Sequence, residues 1–481
     1  MTAIIVPFSA AQHTETADCG TTNLDQLLAR HDVPGPRYTS YPTIDHCTES
    51  VGSVEFEDAL KSRSLGGLRR PLSLYVHVPF CESVCYYCAC NKVVTKKHDR
   101  VEHYLQCLNR EALLIAKMAE GNLTPVTQFH MGGGTPTFLN DEELLGLVQN
   151  LKRIFPFAAN LEMSIEVDPR TVDENRLLSL RSIGFNRISF GVQDFDPQVQ
   201  KAVHREQSFE SVEKLMKAAR RLEFDSINVD LIYGLPRQNP QRFAETLDRL
   251  VSISPDRVAL YGYAHMPDRF KPQRRIHEAD LPDAAGRVAL LAQAIERMQD
   301  AGYDYIGMDH FAKPQDPLAV AKRQGRLHRN FQGYTTQPDA DLIGLGVSAI
   351  SKVGSVMVQN CRELDRYEDA LNRKHLALFR GHESNRDDLV RYSIIMALLC
   401  QGRLCFADFS QAHWLEFESY FEAELQQLRE FENQGLVKFN STGLEVTGIE
   451  VTKLGWFFVR PIAMVFDRYF HQRANSRSKV L

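Results

Sequence analysis

The chain is organised around the stretch LYVHVPFCESVCYYCACNK, residues 74–92. Its first part is a short run of apolar, β-favouring residues, which predicts a buried strand. Pro79 ends this run, because proline cannot donate a hydrogen bond to a neighbouring strand. Cys81, Cys85 and Cys88 are therefore expected to lie just beyond the carboxyl end of a strand.

The spacing of these thiols indicates the kind of metal site they can form. Three and then two residues separate them, whereas zinc sites usually combine paired CxxC or Cys/His units. Three thiolates at this spacing suit a compact iron–sulfur cluster whose fourth iron is left for another ligand. The alternative is a group of cysteines that binds no metal. It is disfavoured because four of the ten cysteines, Cys90 included, fall within ten residues.

Length and composition set the broad class of the protein. A chain of 481 residues predicts one large domain of TIM-barrel size and a smaller one. The formal net charge is -5 and no Lys/Arg block contains interleaved aromatic residues, so no nucleic-acid partner is expected. No apolar run is long enough to span a membrane, and the first ten residues lack the pattern of a secretory signal. The remaining, scattered cysteines favour a reducing cytoplasm over a disulfide framework.

Composition along the chain predicts four segments. Residues 1–23 are polar and rich in turn-forming residues, and they are expected to form a mobile tail. Residues 24–70 begin with a short helical pattern and continue with prolines that hold the backbone extended. This segment fits either a lid over a site or a packed N-terminal arm. Residues 71–380 are the predicted barrel domain, and residues 381–481 are a predicted helical cover domain.

Strand and helix patterns alternate from residue 71 to about residue 312. The strands are predicted at Leu72–Phe80, Val126–Met131, Leu161–Val167, Phe185–Gln193, Ser226–Tyr233, Arg257–Ala264 and Tyr303–Met308. The helices are predicted at Val101–Ala119, Glu142–Ile154, Glu174–Ile183, Phe209–Leu222, Gln241–Val251 and Ala284–Ala301. Repeated units of this kind require parallel strands joined by right-handed crossovers. Their number favours an α/β fold of the incomplete TIM-type (β/α)6 barrel over an open doubly wound sheet.

Polar or glycine residues follow the predicted strands. The second strand ends in a triple glycine, residues 132–134, which frees the backbone to bring its amides close to a ligand. Glu166, Gln193 and Asp230 lie in the end segments of later predicted strands. Taken singly, each carboxylate is more simply a helix cap or loop residue, and Gln193 could serve packing alone. Because chemistry gathers at the carboxyl ends of barrel strands, we expect these groups and the thiols to share one site.

The alternation fails beyond Phe311. Residues 328–336 and 342–351 are rich in glycine and hydroxyl groups, which is typical of loops that line a site. The C-terminal segment is predicted to form helices at residues 387–400, 412–434 and 454–470, the last interrupted by Pro461, with a short hairpin at residues 436–447. Helices followed by such a hairpin resemble a winged-helix module. Acidic residues surround this hairpin, so a cover over the open side of the barrel is favoured over DNA binding.

The radical S-adenosylmethionine enzymes have features that this chain resembles: the cysteine loop (residues 81–90), the triple glycine and the acidic residues at strand ends. Further motifs closely resemble those of the oxygen-independent coproporphyrinogen III oxidases of bacterial haem biosynthesis. These motifs are GPRYTSY (35–41), CNK (90–92), GGTPT (133–137), IEVDPR (165–170), GVQDF (191–195), DLIYGLP (230–236), GMDHF (307–311) and HRNFQGYTT (328–336).

The resemblance implies two kinds of cofactor. A [4Fe–4S] cluster is implied on Cys81, Cys85 and Cys88, with one S-adenosylmethionine on the unligated iron, and a second S-adenosylmethionine is implied beside it. Positions that match the family's motifs for the first molecule are Tyr75, Gly133, Glu166 and Ile350. Those that match for the second are Tyr87, Gly134, Thr135, Gln193, Arg205, Asp230 and Ala264.

The implied activity is the anaerobic oxidative decarboxylation of two propionates of coproporphyrinogen III to vinyl groups, which gives protoporphyrinogen IX. A 5′-deoxyadenosyl radical would remove a hydrogen from the β-carbon of each propionate, and carbon dioxide and one further electron would leave. Cys90, part of a family motif, is the expected catalytic residue. The substrate carries carboxylates, and Arg37, Arg329 and Lys92 are the candidates for pairing with them. A low-potential electron donor and a monomeric enzyme are also expected.

Three positions depart from the family's pattern, and one alternative function shares the scaffold. Tyr87 and Ala89 stand where the family has Phe and Gly, so that a methyl group at Ala89 could crowd the second cofactor, and Met131 replaces an aromatic residue. The alternative is a haem chaperone, which binds and delivers haem. Cys90 and the motif at residues 328–336 favour the oxidases, because the chaperones lack this cysteine and carry a tryptophan-bearing motif instead.

Overall fold

The computed structural model describes residues 24–31, 33, 35–63, 70–308, 310–337, 340–443 and 445–470. The predicted tail, residues 1–23, lies outside these ranges, as do residues 471–481. The helices are α1 Leu24–His31, α2 Ser53–Ser62, α3 Val101–Met118, α4 Asp141–Ile154, α5 Glu174–Ile183, α6 Pro197–Ala202, α7 Phe209–Arg221, α8 Pro240–Ile253, α9 Ala284–Asp300, α10 Pro317–Arg323, α11 Leu364–Asn372, α12 Arg386–Gln401, α13 Phe406–His413, α14 Phe417–Tyr420, α15 Glu422–Asn433 and α16 Val459–Met464. The strands are β1 Leu72–Val78, β2 Phe80–Cys81, β3 Val93–Val94, β4 Val126–Gly133, β5 Phe157–Val167, β6 Arg187–Gln193, β7 Ser226–Tyr233, β8 Arg257–Gly262, β9 Asp304–Gly307, β10 His310–Ala312, β11 His328–Asn330, β12 Gly333–Thr335, β13 Asp341–Leu345, β14 Ile350–Val353, β15 Val356–Asn360, β16 Leu378–Glu383, β17 Arg403–Cys405, β18 Val437–Thr442 and β19 Glu445–Val451.

A 12-stranded mixed sheet forms the centre of the molecule, in the order β16-β15-β14-β13-β1-β4-β5-β6-β7-β8-β10-β9. The seven neighbours from β13 to β8 run parallel. Six strand–helix units, from β1 with α3 to β8 with α9, alternate along the chain. The sheet does not close, because β16 and β9 remain its two edges. The predicted incomplete (β/α)6 barrel is confirmed.

Strands β13 to β16 extend the sheet beyond β1. β13 and β14 overlap residues 342–351, for which the sequence predicts a loop, and β15 and β16 are not predicted. β13 pairs in parallel with β1 and places Gly344 beside Tyr75. A Cβ atom on Gly344 would overlap the backbone of Ile350 in the adjacent strand. This glycine therefore reflects close packing of strands rather than a loop.

Side-chain caps set the helix boundaries near the site. At the start of α4, Glu143 N donates to Asn140 Oδ1 (2.9 Å) and Asn140 N donates to Glu143 Oε2 (2.7 Å). Arg176 N donates to Asp173 Oδ1 (2.8 Å) at the start of α5, and Gly184 ends that helix with a φ of 119°. These caps lie close to the predicted boundaries, because they depend on local side chains.

The C-terminal domain combines helices with a three-stranded sheet. The order α12, β17, α13, α15, β18, β19 agrees with the winged-helix-like prediction and adds the strand β17. The single helix predicted for residues 412–434 is wrong, because Trp414, with a φ of 53°, ends α13 before α14 and α15 begin. Pro461 does not interrupt a helix, since it lies in the first turn of α16. In the described part of the chain, no helix combines the length and apolar character needed to cross a membrane.

The N-terminal arm packs against the C-terminal domain. Tyr38 donates to Asp467 Oδ2 (2.9 Å), and Arg460 donates to the carbonyls of Pro36 (2.7 Å) and Gly35. These contacts favour the packed arm over a free lid. The division into four segments stays a prediction, and β16 runs across its boundary at residue 380.

Candidate active site

The cysteine loop is fixed in place at the carboxyl end of β1. Thr95 N donates to the Cys81 carbonyl (2.9 Å), and Tyr86 N donates to the Val203 carbonyl (2.9 Å). The thiols of Cys81 and Cys85 are buried, and the third predicted ligand of the cluster is partly buried. The three thiols therefore lie in one loop that is held from two sides.

Hydrogen-bond donors surround two of these thiols. Thr135 Oγ1 donates to Cys81 Sγ (3.4 Å), and Arg205 Nη1 (3.3 Å) and Arg170 Nη2 (3.5 Å) donate to Cys85 Sγ. Burial raises the pKa of Cys81 to about 11, and the bond from Thr135 opposes this only in part. A bound metal deprotonates a coordinating thiol outright. The two guanidinium groups are then placed to stabilise the negative sulfur.

Cys88 interacts with Cys90 and Lys92. The hydrogen bond from the Cys90 thiol is the main cause that lowers the pKa of Cys88, and the charge of Lys92 acts in the same direction. Lys92 Nζ also donates to the Cys88 carbonyl (3.1 Å). Lys92, which the sequence analysis predicts to pair with a substrate carboxylate, is therefore directed at the cysteine loop. The residue Cys90 is itself exposed.

The donor set fits an iron–sulfur cluster rather than a single metal ion. Within the described ranges, no three His, Cys, Asp or Glu side chains come together as ligands of one ion. A cubane cluster does not require such convergence, because each thiolate binds a different iron. Cys81, Cys85 and Cys88 are all free thiols and are available for this role.

Glu166, near the end of β5, is the centre of a second group of side chains. It accepts hydrogen bonds from Gly133 N (3.1 Å) and His130 Nε2 (3.4 Å). Burial opposes its ionisation, but these bonds outweigh burial and keep the pKa of Glu166 below its usual value. The Tyr75 ring stacks on His130 with centroids 5.9 Å apart. The Glu166 side chain remains 46% exposed, so the carboxylate is accessible within the half-barrel, the open curved sheet of parallel strands from β13 to β8.

His77 supports this group with a defined tautomer. Its Nε2 lies 2.9 Å from the Asn91 carbonyl, which can only accept, so Nε2 carries the proton. Nδ1 then accepts a hydrogen bond from the Tyr75 hydroxyl (3.1 Å). Burial lowers the pKa of His77, so the ring stays neutral. The orientation of Tyr75 is thereby coupled to the residue that follows Cys90.

The triple glycine allows site residues to approach β4 closely. A Cβ atom on Gly132 would lie 2.8 Å from Glu166 Oε1, and one on Gly133 would lie 2.5 Å from the His77 ring. Gly133 also has a φ of 114°, and a Cβ on Gly134 would meet the backbone before Cys81. The Gly133 amide is used by Glu166 and the Gly134 amide by a β1 carbonyl. The Gly133 and Gly134 amides therefore bind protein groups, and the contact of this segment with a ligand stays a prediction.

Arg205 and Asp168 form a buried ion pair beside Cys85. Arg205 Nη1 lies 3.1 Å from Asp168 Oδ2, and Arg170 Nη2 lies 2.6 Å from the same oxygen. Arg205 Nε donates to the Gly191 carbonyl (3.0 Å). These bonds occupy the guanidinium that the resemblance assigns to the second S-adenosylmethionine. A ligand carboxylate at Arg205 would therefore have to share it with Asp168.

Asp230 lies within the parallel sheet and has a perturbed pKa. It accepts hydrogen bonds from Ser189 Oγ (2.9 Å) and Asn228 Nδ2 (2.8 Å). Burial, and next the charge of Glu166, raise the pKa of Asp230 to about 7. A carboxyl group that titrates near neutrality can either accept or donate a hydrogen bond to a ligand.

Gln273 connects the cysteine loop to the end of β8. Its Nε2 donates to the carbonyls of Tyr87 (3.0 Å) and Ala264 (3.1 Å), and its Oε1 accepts from Met266 N (2.6 Å). Gln273 is almost fully buried. The structure thus brings Tyr87 and Ala264 together through a residue that the sequence does not single out.

The remaining predicted residues lie close to the same groups. Gln193 ends β6 with a φ of 73°. A Cβ atom on Gly191 would lie 3.0 Å from Gln193 Nε2 and 3.1 Å from Arg205 Nη2, so these two side chains are neighbours. Ile350 begins β14 and packs on Gly344, which pairs with β1.

Arg37 and Arg329 meet although 292 positions separate them in the sequence. Arg329 Nη2 donates to the Arg37 carbonyl (3.2 Å). Arg329 is buried, and its Nε and Nη1 have no hydrogen-bond partner among the described residues. The guanidinium of Arg37 lies over Tyr261 (5.0 Å to the centroid) and that of Arg329 over Tyr334 (4.7 Å). These two cations lie close together, and no carboxylate of the described residues pairs with either of them.

Four residues of this region are assigned no role in the site by the sequence analysis: His77, His130, Gln273 and His310. A usable signal exists for His130, because polar side chains at alternate positions of the apolar strand β4 face the same side. Gln273 has no such signal, since it lies in a short 3₁₀ helix between β8 and α9.

Comparisons with known proteins agree over most of the chain. The Radical SAM superfamily model matches residues 75–250, and the HemN C-terminal domain model matches residues 385–458. Oxygen-independent coproporphyrinogen III oxidases of Salmonella typhimurium and Escherichia coli are 46% and 45% identical to this chain, each over 93% of it and 96% of the relative. A solved structure, described as coproporphyrinogen III oxidase (HemN) from Escherichia coli and as a radical SAM enzyme, is 44% identical. It superposes with a TM-score of 0.85 and covers 91% of this chain and 100% of that chain.

These matches include both the half-barrel and the C-terminal domain. The radical SAM superfamily binds a [4Fe–4S] cluster and S-adenosylmethionine, and the three free thiols of the cysteine loop fit this cofactor set. The curated relatives are named as oxidases, which favours the predicted enzyme over the haem chaperone. The chain therefore belongs to the oxygen-independent coproporphyrinogen III oxidases of the radical SAM superfamily.

Proposed function

We propose that this chain converts coproporphyrinogen III to protoporphyrinogen IX by oxidative decarboxylation of two propionates to vinyl groups. One observation carries the proposal, the combination of three free thiols with two arginines at the same open half-barrel. Among the described residues, no carboxylate pairs with Arg37 or Arg329. The names of the curated relatives support the same activity.

The chain's own residues hold and orient the reacting groups. When bound, the cluster and S-adenosylmethionine supply one-electron chemistry that removes a hydrogen atom from an unactivated carbon. Cys81, Cys85 and Cys88 hold the cluster, and Arg170 and Arg205 stabilise the sulfur of Cys85 by charged hydrogen bonds. The protein thus contributes binding and electrostatics, while the cofactors contribute the reactive electron.

The first S-adenosylmethionine is assigned to Tyr75, Gly133, Glu166 and Ile350. The accessible carboxylate of Glu166, which stays ionised because its pKa is lowered, suits the ammonium or a ribose hydroxyl of this ligand. The second molecule is assigned to Tyr87, Gly134, Thr135, Gln193, Arg205, Asp230 and Ala264. The contacts between Gln193 and Arg205, and between Tyr87 and Ala264 through Gln273, support a shared site.

The propionates are assigned to Arg37 and Arg329. A buried guanidinium with free N–H groups costs stability until a carboxylate pairs with it, and its planar fork suits a bidentate partner. Lys92 is assigned to the cysteine loop instead, because its amine donates to the Cys88 carbonyl. Cys90 is expected to act during turnover and not as a ligand of the cluster.

The partners and location follow from the same chemistry. The reaction consumes an electron at the cluster, so a low-potential one-electron donor is required, and a further acceptor takes the electron that leaves the substrate. We expect the enzyme to act as a monomer in the cytoplasm, where a reducing environment preserves its thiols.

The test is an anaerobic assay of the reconstituted protein. Iron, sulfide and reductant are supplied, followed by S-adenosylmethionine and coproporphyrinogen III, and the vinyl product and carbon dioxide are measured. Both products are expected, and omission of S-adenosylmethionine should abolish them. Cleavage of S-adenosylmethionine without decarboxylation would contradict the proposal. Tight haem binding without decarboxylation would support the chaperone instead.

A further inference from the structure

His310 lies between the two arginines and has a defined tautomer. It begins β10, which pairs with β8 and places His310 opposite Ala259. Its Nδ1 lies 2.8 Å from the Met308 carbonyl. A carbonyl oxygen only accepts, so Nδ1 must carry the proton and donate it to this bond.

The ring is held in its neutral form. Burial, and next the charges of Arg329 and Arg37, lower the pKa of His310 to about 3. A neutral imidazole protonated on Nδ1 has a lone pair on Nε2, so that Nε2 is a hydrogen-bond acceptor. No described residue donates to Nε2.

Two tyrosines and a glycine surround this acceptor. Tyr261 and Tyr334 pack edge-on against the His310 ring, with centroids 5.9 Å and 5.6 Å away. The adjacent Gly333 carries no side chain, and a Cβ atom there would lie 3.7 Å from Nε2. His310 is only partly buried, so the acceptor remains accessible.

The neighbours of His310 form a compact group of two arginines and two tyrosines. Arg37 lies over Tyr261, Arg329 lies over Tyr334, and the His310 ring contacts both tyrosines. This group of side chains around His310 therefore offers cationic donors on two sides and one neutral acceptor between them. A carboxylate suits the arginines but is repelled by a lone pair at Nε2, which needs an N–H or O–H donor.

We propose that His310 is a specificity residue that accepts a hydrogen bond from a pyrrole N–H of the tetrapyrrole substrate. This inference rests on the proposed function. A porphyrinogen carries its carboxylates on the periphery and its pyrrole N–H groups in the centre. Complementary groups, cationic donors with a neutral acceptor between them, are presented by the side chains of Arg37, Tyr261, His310, Tyr334 and Arg329. One face of the macrocycle would thereby be fixed relative to the cysteine loop.

The test compares His310→Phe, which removes the acceptor, with His310→Gln, whose amide oxygen can replace it. The KM for coproporphyrinogen III should rise about tenfold in H310F, the effect of one lost hydrogen bond of ordinary strength. The KM for S-adenosylmethionine and the kcat should stay near those of the unaltered enzyme. H310Q should recover most of the loss, and equilibrium binding of the substrate without reductant should follow the same order.

His413→Phe serves as the matched control, because His413 is also a partly buried histidine but lies in the C-terminal domain, hydrogen-bonded to Ser393 (2.8 Å). H413F should keep the original KM. The inference is overturned if H310F binds substrate normally, if H310Q and H310F are equally impaired, or if the KM for S-adenosylmethionine rises in place of that for the substrate. Absence of vinyl product with the unaltered enzyme and with H413F would instead overturn the proposed function, and the role of His310 with it.

Discussion

Arg329 is a buried cation for which the described residues provide no carboxylate. It is 7% exposed, its guanidinium lies over the Tyr334 ring, and among the described residues that guanidinium makes one hydrogen bond, to the Arg37 carbonyl. A buried charge without a partner lowers stability, since little water reaches it and nothing neutralises it. Such a cost is explained when a ligand supplies the missing charge.

Replacing Arg329 with Met should weaken substrate binding without lowering the stability of the substrate-free protein. The KM for coproporphyrinogen III should rise about 10- to 100-fold, because a charged hydrogen bond contributes ~1.5–3 kcal/mol. The melting temperature of the substrate-free protein should be unchanged or higher. The control is Arg323→Met, which removes an exposed arginine paired with Asp304. An unchanged KM in R329M would remove Arg329 from the substrate site.

Cys85 and Cys90 should respond differently to substitution by serine. Cys85 is buried between two guanidinium groups, so Cys85→Ser should abolish binding of the cluster. Cys90 is exposed and donates to Cys88, so Cys90→Ser should retain the cluster and lower turnover. Iron content and visible absorbance of the reconstituted proteins measure the first property, and vinyl formation measures the second. Loss of iron from C90S would mean that Cys90 is a ligand.

Asp230 should make the stability of the protein depend on pH. Its folded-state pKa of about 7 lies above the ordinary 3.8, so the unfolded chain releases the proton first as the pH rises. The contribution of Asp230 to stability therefore falls between pH 3.8 and about 7 and stays low above it. Asp230→Asn removes this loss and keeps the shape of the side chain.

Thermal unfolding of the cofactor-free protein tests this expectation. D230N should melt at a higher temperature than the unaltered protein above about pH 7, and the difference should shrink as the pH falls towards 3.8. Asp225→Asn, an exposed carboxylate just before the same strand, should show no such trend. A difference independent of pH would refute the assignment to Asp230 ionisation.

At the scale of secondary-structure elements, β4 ends where three side chains would collide with their neighbours. Gly132 lies against the Glu166 carboxylate, Gly133 against the His77 ring, and Gly134 against the backbone just before Cys81. The carboxyl end of one strand thus serves as the surface on which the neighbouring strands β1 and β5 place their functional groups. Packing between elements therefore requires glycine at these three positions, in addition to the cofactor contacts proposed for Gly133 and Gly134.

Gly133→Ala should destabilise the protein by about 2 kcal/mol or more, because the residue would combine a positive φ with a clash against His77. Gly146→Ala is the matched control, since Gly146 lies within α4 and has open space around it. G146A should stabilise the protein by ~0.5–1 kcal/mol through its higher helix propensity. Urea unfolding measures both variants, and equal effects would argue against the proposed role of the clash.

At the scale of the whole molecule, the N-terminal arm joins the half-barrel to the C-terminal domain. Arg460, in α16, holds the carbonyls of Gly35 and Pro36, which immediately precede Arg37. The guanidinium of Arg37 in turn lies over Tyr261 of β8. The C-terminal domain therefore positions a residue of the proposed substrate site from outside the half-barrel.

Arg460→Met should loosen the arm and weaken substrate binding. Hydrogen exchange of amides near residues 35–42 should accelerate while that of β1 and β4 stays unchanged, because only the arm loses its hydrogen bonds. The KM for coproporphyrinogen III should rise several-fold with S-adenosylmethionine cleavage retained. Arg429→Met, an exposed arginine paired with Glu432 in the same domain, should change neither. Unchanged exchange of the arm in R460M would contradict this coupling.

The sequence alone predicts the repeating part of the fold closely. The observed bounds of α5 and β7 equal the predicted ones, and all six strand–helix units occur in order. Local periodicity and caps carry this information, because they act between residues close in sequence. The same logic brings Glu166, Asp230 and the cysteine loop to one part of the half-barrel, since parallel strands share their carboxyl edge.

Only the tertiary structure decides the rest of the site. The pairing of β13 with β1, the contact between Arg37 and Arg329, and the bridge from Gln273 to Tyr87 join residues that are far apart in sequence. No local pattern encodes such pairings. The stretch at residues 74–92 therefore determined which chemistry the protein can support, whereas long-range packing decided which side chains surround it and left Arg37 and Arg329 without a carboxylate partner among the described residues.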